Sequence, residues 1–120
     1  MTVGLKYDND KSRMGLVPPY ALESVADVLT FGAQKYAVDN WKHVDNAHER
    51  YMDAALRHII AYQKGEVYDT ESNLPHLSHA ICCLMFLLDL DLVAKKDTVD
   101  TDWTELQRSI DKMIRLELGV

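Results

Sequence analysis

The chain has 120 residues, 48% hydrophobic and 27% charged, a composition that excludes a disordered tail or tandem array and fits one globular domain. Thirteen Lys and Arg stand against nineteen Asp and Glu, a formal net charge of -6, so the clustered positive charge that binds a phosphate backbone is missing and no duplex nucleic acid is expected as a partner. The longest apolar run, Ala80 to Leu88, is far shorter than the ~20 residues a bilayer span needs, and the N-terminus has no basic-then-apolar signal pattern, so a cytoplasmic protein without a membrane partner is expected.

Residues 1–19 contain Gly4, Gly15, Pro18 and Pro19 without helical periodicity and read as an irregular arm that carries Lys6, Lys11 and Arg13. Pro19 suits a helix start, and Leu22, Val25, Ala26, Leu29, Ala33 and Tyr36 recur at spacings of three and four, which predicts a first helix to about Tyr36 with that stripe buried. Glu23 and Asp27 lie one turn apart beside the stripe. Residues 37–46 form a polar loop with Trp41 as its anchor. A second helix is expected from about Ala47 to Lys64, with Met52, Ala55, Leu56, Ile59 and Gln63 inward, a flank of Tyr51, Ala55, His58 and Tyr62, and Arg50, Asp53 and Arg57 on another face. Gly65 suits the left-handed residue that ends it.

After the acidic turn 66–73, Pro75 opens a third helix to about Val93, whose segment Ala80 to Leu88 is apolar all round and calls for cover by other helices or a partner subunit. Asp102 and Glu105 have capping-box spacing ahead of a last helix with Trp103, Leu106, Ile110, Met113 and Ile114 on one stripe. The adjacent Cys82 and Cys83 read as small, reduced core residues. The expected fold is all-α, a four-helix bundle forming one domain over 1–120, with arm 1–19, core helices 20–93 and C-terminal helix 101–117.

There is no Gly-rich phosphate loop, no GxGxxG, HExxH or GxSxG, no EF-hand spacing and no adjacent His-Asp pair. What remains are polar residues on faces that meet inside a bundle. His76 and His79 share one side of the third helix, His58 lies beside the buried stripe of the second, and Glu23 and Asp27 beside that of the first. Facing helices hold metal ions with such inward Glu and His side chains, so these five residues are a candidate set for a divalent cation. Each also has a structural reading, Glu23 through the helix dipole and His76 through capping of the third helix. Lys6, Lys11, Arg13, Lys35 and Arg57 are the cations suited to a polyphosphate, and Arg50 reads as a surface charge beside Asp53. Tyr36 and Trp41 suit either stacking on a base or anchoring the core.

The order Lys6-Tyr7-Asp8 with Lys11 and Arg13, Leu16-Val17-Pro18-Pro19, Leu29-Thr30-Phe31-Gly32-Ala33 with Lys35-Tyr36, Asn40-Trp41, Leu56-Arg57-His58, Gly65-Glu66, Asp69, Glu71-Ser72 and Pro75-His76-Leu77 with His79-Ala80 resembles the phage dATP/dGTP diphosphohydrolase family, over roughly Leu5 to Leu90. That family looks related to the MazG-like all-α nucleoside triphosphate pyrophosphohydrolases. The resemblance implies metal-dependent hydrolysis of a purine deoxynucleoside triphosphate to monophosphate and pyrophosphate, in a phage that remodels its host's nucleotide pool. It assigns Glu23, Asp27, His76 and His79 to a divalent metal, Mn2+ or Mg2+, and gives Glu23, His58 and His79 catalytic roles. Lys6, Lys11, Arg13, Lys35, Tyr36, Asn40, Trp41 and Arg57 would bind substrate. It also implies a homo-oligomer, dimer or tetramer, with the site shared between chains.

One departure stands out. The MazG-like pattern is a pair of acidic motifs, ExxE and later ExxD, whereas here Ala26 follows Glu23 by three residues and the sole ExxD, Glu66 to Asp69, falls beyond the Gly65 helix stop. Either histidines replace carboxylates, favouring manganese or another borderline ion over magnesium, or the fold binds and sequesters a nucleotide or a nucleotide-derived signal without turning it over.

Overall fold

The computed structural model describes residues 2–98 and 101–119, with side chains described for 2–96 and 106–119. The expected capping box of Asp102 and Glu105, and Trp103, lie outside the described side chains. Four helices follow in order: α1 (Pro19–Lys35), α2 (Ala47–Gln63), α3 (His76–Thr98) and α4 (Thr101–Leu118), with short 3₁₀ turns at Met14–Leu16 and Asn40–His43. The fold is all-α as the periodicity predicts. The described residues contain no strand, and a single isolated bridge pairs Tyr68 with Pro75.

Local chemistry sets the helix ends. Pro19 occupies the first turn of α1, where its missing N–H costs nothing. Gly65 takes φ +96 after α2, its N–H donates to Tyr62 O and the N–H of Glu66 donates to Ala61 O, the paired bonds of a Schellman stop. At the start of α3 the N–H groups of Ser78 and His79 donate to Pro75 O. That helix runs on to Thr98, past the expected end at Val93, and carries Lys95 and Lys96 in its last turn, where cations complement the dipole.

α3 is the shared partner on which α1 and α2 both pack. Val25 and Val28 of α1 meet Cys82 of α3, with Leu74 and Phe86 beside them. The small residues Ser24 and Ser78, hydrogen-bonded to each other, let α1 approach α3 closely at its first turns. Trp41, in the 3₁₀ turn between α1 and α2, stacks on Phe86 with centroids 4.4 Å apart, and Tyr51 of α2 meets the same ring edge-on at 5.1 Å. Both cysteines are free and buried as expected, and burial pushes the Cys82 thiol up to about 12.

Two expected faces are corrected. On α1 the buried residues are Val25 and Val28, while Leu22 and Leu29 of the anticipated stripe stay exposed. On α2 Tyr51, Ala55 and His58 of the expected flank pack inward while its Tyr62 is exposed, and of the expected inner stripe Ala55 and Ile59 are covered whereas Met52, Leu56 and Gln63 face out. Each helix carries two apolar faces, and periodicity does not say which one α3 takes. α3 itself is covered on one side, with Ile81, Leu84, Met85 and Leu88 open on the other. By length and composition alone its span His76–Lys96, of mean hydropathy 1.9, is sufficient to cross a membrane, which the short run Ala80 to Leu88 did not register. α4 leaves Leu106, Met113 and Ile114 about half exposed.

Candidate functional site

The site is assembled by the end of α2, the loop behind it and the start of α3. The loop closes on itself: the Asp69 N–H donates to Leu74 O, the Asn73 N–H to Asp69 O and the His76 N–H to Val67 O, with Asn73 at φ 59 making the reversal. Within it Asp69 Oδ1 accepts from the N–H groups of Glu71 and Ser72 and from the Ser72 hydroxyl, at 2.9 to 3.1 Å. Asp69 is thereby aimed back at the helices rather than into water. Ser72 Oγ also lies 2.7 Å from His79 Nε2 and accepts from the Leu74 N–H. Since the single hydroxyl proton goes to Asp69, His79 must donate through Nε2–H, which leaves Nδ1 as its basic atom.

Three imidazoles converge there. His58 Nδ1 lies 2.8 Å from His76 Nδ1, and the His58 ring stacks on His79 with centroids 4.5 Å apart. Burial, together with the neighbouring His79 and His76, holds His58 below the usual imidazole range, and burial does the same to His79 against the opposing pull of Asp69. Both rings are therefore neutral at pH 7. Burial alone would raise the Asp69 carboxyl, but the hydrogen bonds from Ser72 outweigh it and bring Asp69 below its ordinary value. His76 is 6% exposed, and its Nε2 has no hydrogen-bond partner, with Glu66 Oε2 3.7 Å away. One donor atom each from His58, Asp69 and His76 lie within 4.8 Å of one another, the composition and spacing of a set able to hold a metal ion.

A cleft of about 720 Å3 opens beside the cluster, between α1 and α2 and above α3. His58, His79 and Asp69 border one end, Trp41, Tyr51 and Phe86 form an aromatic wall, and Arg57 lines both this cleft and an adjoining smaller one. Lys35 at the cleft is ion-paired with Glu71, which raises its pKa above the ordinary lysine value.

A family model described as "dATP/dGTP diphosphohydrolase, N-terminal" matches residues 2–101. The chain belongs to this diphosphohydrolase family. A curated protein of Salmonella phage PMBT28, "dATP/dGTP diphosphohydrolase", is 39% identical over 84 residues, which cover 70% of this chain and 28% of that protein. The chain thus spans less than a third of the curated relative it matches. No solved structure matches it significantly.

For this member of the diphosphohydrolase family, the fold gathers some of the residues singled out in the sequence and scatters others. His58, His76 and His79 meet, and Lys35, Tyr36, Asn40, Trp41 and Arg57 all line the cleft. Glu23 and Asp27 do not join them: both are exposed on α1 and border neither cleft, which corrects the expectation of a buried carboxylate pair. Lys6, Lys11 and Arg13 are exposed on the arm, away from the cleft lining. His79 is engaged by Ser72 and stands outside the three-residue donor set. Conversely Asp69, set aside because its ExxD fell past the helix stop, reaches the histidines through the closed loop. The roles of Ser72 and Tyr51 were not anticipated. Ser72 has a local signal, an Asp three residues before a Ser in a turn. Tyr51 has none, because its partner Phe86 is 35 positions away.

Proposed function

We propose that the chain hydrolyses purine deoxynucleoside triphosphates, dATP or dGTP, to monophosphate and pyrophosphate in a divalent-metal-dependent reaction, and that this activity remodels a nucleotide pool in the cytoplasm of a phage-infected host. The observation that supports it is the juxtaposition, in a member of this family, of the His58, Asp69 and His76 cluster and an aromatic-walled cleft, bordered by Arg57 and Lys35 and large enough for a nucleotide.

Attack by water on the α-phosphorus expels pyrophosphate, and charge develops on the phosphoryl oxygens and the leaving group. A bound divalent ion would polarise those oxygens and ease deprotonation of the water, and the His58, Asp69 and His76 donors are the residues that would hold it. Arg57, at the junction of the two clefts, neutralises and orients the polyphosphate. Lys35 joins it when the incoming phosphates compete with Glu71 for its ammonium. His79, neutral and donating through Nε2 to Ser72, takes up a proton at Nδ1. Tyr36 and Trp41 supply rings for the base at the cleft rim.

Purified chain incubated with each dNTP and Mn2+ or Mg2+, with products separated by ion exchange, is expected to release pyrophosphate from dATP or dGTP. Absence of pyrophosphate from every substrate, with tightly bound nucleotide recovered intact, overturns hydrolysis and leaves the sequestering protein.

The functional unit in this proposal is a homo-oligomer. The chain exposes 10260 Å2, against about 6,600 Å2 for a compact monomer of this length. Its radius of gyration of 18.1 Å likewise exceeds the roughly 13.6 Å expected of a compact domain. The excess is larger than a protomer's share of an obligate dimer interface, about 1,000–2,500 Å2, and the open apolar faces of α1, α2 and α3 are where a second copy fits.

A further inference from the structure

We propose that the facing nitrogens of His58 and His76, with one carboxylate oxygen of Asp69, form a site for a borderline divalent transition metal, Mn2+, Co2+ or Zn2+, and that Glu66 positions His76 for this role. The site deepens the reading above, since its use in hydrolysis rests on that reading, but its existence rests on geometry alone.

The first argument is hydrogen counting. Between two Nδ1 atoms 2.8 Å apart there is room for one proton, so one ring donates and the other accepts. If His76 donated through Nδ1, its Nε2 would be a bare lone pair, buried and facing the Glu66 carboxylate at 3.7 Å, two acceptors opposed. The alternative has His58 donating, His76 Nδ1 accepting and His76 Nε2–H directed at Glu66. Glu66 therefore selects the tautomer whose lone pair points into the cluster. A carboxylate on the far nitrogen of a ligating imidazole is the usual outer-shell support of a protein metal site.

The second argument is position. Two nitrogens each about 2.1 Å from one ion, at right angles, lie about 3 Å apart, close to the separation already present. A cation takes the place of the shared proton: His58 gives its Nδ1 proton to solvent and takes one up at Nε2, so both rings ligate as neutral imidazoles, and neither has to move far because both are set by packing, His58 against His79 and His76 in the wall of α3. The third ligand comes pre-oriented. Three hydrogen bonds gather on Asp69 Oδ1, so the loop sets the direction of the whole carboxylate before any ion arrives. The nearly complete burial of the orphaned His76 distinguishes the cluster from a chance grouping of surface acids.

The donor chemistry then chooses the ion. Two imidazoles and one carboxylate suit Mn2+, Co2+ or Zn2+, whereas Mg2+ prefers oxygen ligands and keeps its waters. This differs from the all-carboxylate cage expected of MazG-like relatives, and Glu23 and Asp27 take no part in it.

The chelator-stripped 120-residue chain is titrated with Co2+, following visible d–d absorption and calorimetry, with and without a large excess of Mg2+. One Co2+ per chain is expected, with nitrogen-ligand bands that persist in Mg2+. His58→Ala and His76→Ala should each weaken binding at least 100-fold and Glu66→Gln about 10-fold, while His48→Ala, remote on the other end of α2 and paired with Asp91, leaves it unchanged. Circular dichroism checks that each variant keeps its helices, and His76→Asn serves if His76→Ala does not. Co2+ affinity unaltered by a folded His76 variant overturns the site, as does stoichiometric displacement by Mg2+. Co2+ binding without pyrophosphate release keeps the site and refutes the hydrolase; Mg2+-supported hydrolysis without Co2+ binding does the reverse.

Discussion

His58 Nδ1 and His76 Nδ1 meet at 2.8 Å, tying the C-terminal half of α2 to the first turn of α3 through a pair of polar rings in a largely apolar interface. A buried polar pair costs free energy unless its hydrogen bonds are made; here the two Nδ1 atoms satisfy each other, the His58 ring stacks on His79, and the Glu66 carboxylate stands 3.7 Å from His76 Nε2. The contact ties the two helices together, and burial disfavours the charged forms of His58 and His79.

Acid should destabilise the metal-free chain. His58 and His79 have folded-state values below the ordinary 6.5, so the unfolded chain binds more protons than the folded one as pH falls through that range. The depressed Asp69 adds a second loss below about pH 4. Urea midpoints measured in chelator are expected to be level from pH 8 to 7 and to fall steadily towards pH 5. A midpoint that holds or rises between pH 7 and 5 contradicts the lowered values of His58 and His79.

Ser72→Ala removes one hydroxyl that serves Asp69, His79 and the Leu74 N–H together. The half-buried groups left without it should cost about 1–3 kcal/mol of stability. Because His79 loses the contact that sets its tautomer, pyrophosphate release should fall by more than the loss of folded protein explains. Ser72→Thr keeps the oxygen and should restore most of both. An active Ser72→Ala variant of unchanged urea midpoint argues against this link.

Arg57→Met tests the polyphosphate contact. Arg57 borders both clefts, and removing its charge is expected to raise KM for the nucleotide at least tenfold. Glu71→Gln frees Lys35 from its ion pair and should lower KM. An unchanged KM in both variants would place the phosphates elsewhere, the arm cations Lys6, Lys11 and Arg13 being the next to test.

Self-association is checked by light scattering coupled to size exclusion. The wild-type chain is expected at twice or four times the monomer mass. Leu84→Glu, on the open side of α3, and Leu56→Glu, on the open side of α2, should shift it towards monomer and lower its thermal stability. A monomeric wild type at micromolar concentration refutes the oligomer.

Much of this protein is legible from local signals. Four helices, the stop at Gly65, the start after Pro75 and the placing of two histidines in the first turns of α3 follow from periodicity and capping, which act over a few residues. So do the aromatic and cationic candidates Tyr36, Trp41, Lys35 and Arg57, which the fold does bring to one cleft. Burial within each helix is less legible, because α1 and α2 each carry two apolar faces and only contact with α3 selects Val25 over Leu22, or Ala55 over Leu56.

Periodicity and motif spacing already specify an all-α chain with three histidines near one another and too few inward carboxylates for an acidic cage. Which acids serve those histidines depends on how the chain folds back on itself. Glu23 and Asp27 lie on the right helix but turn to solvent, while Glu66 and Asp69 lie past a helix end and are carried to His76 and His58 by a closed loop. The physical reason is that a helix sets the direction of a side chain by local geometry, whereas a loop sets it by hydrogen bonds that form only once the chain has folded back on α3.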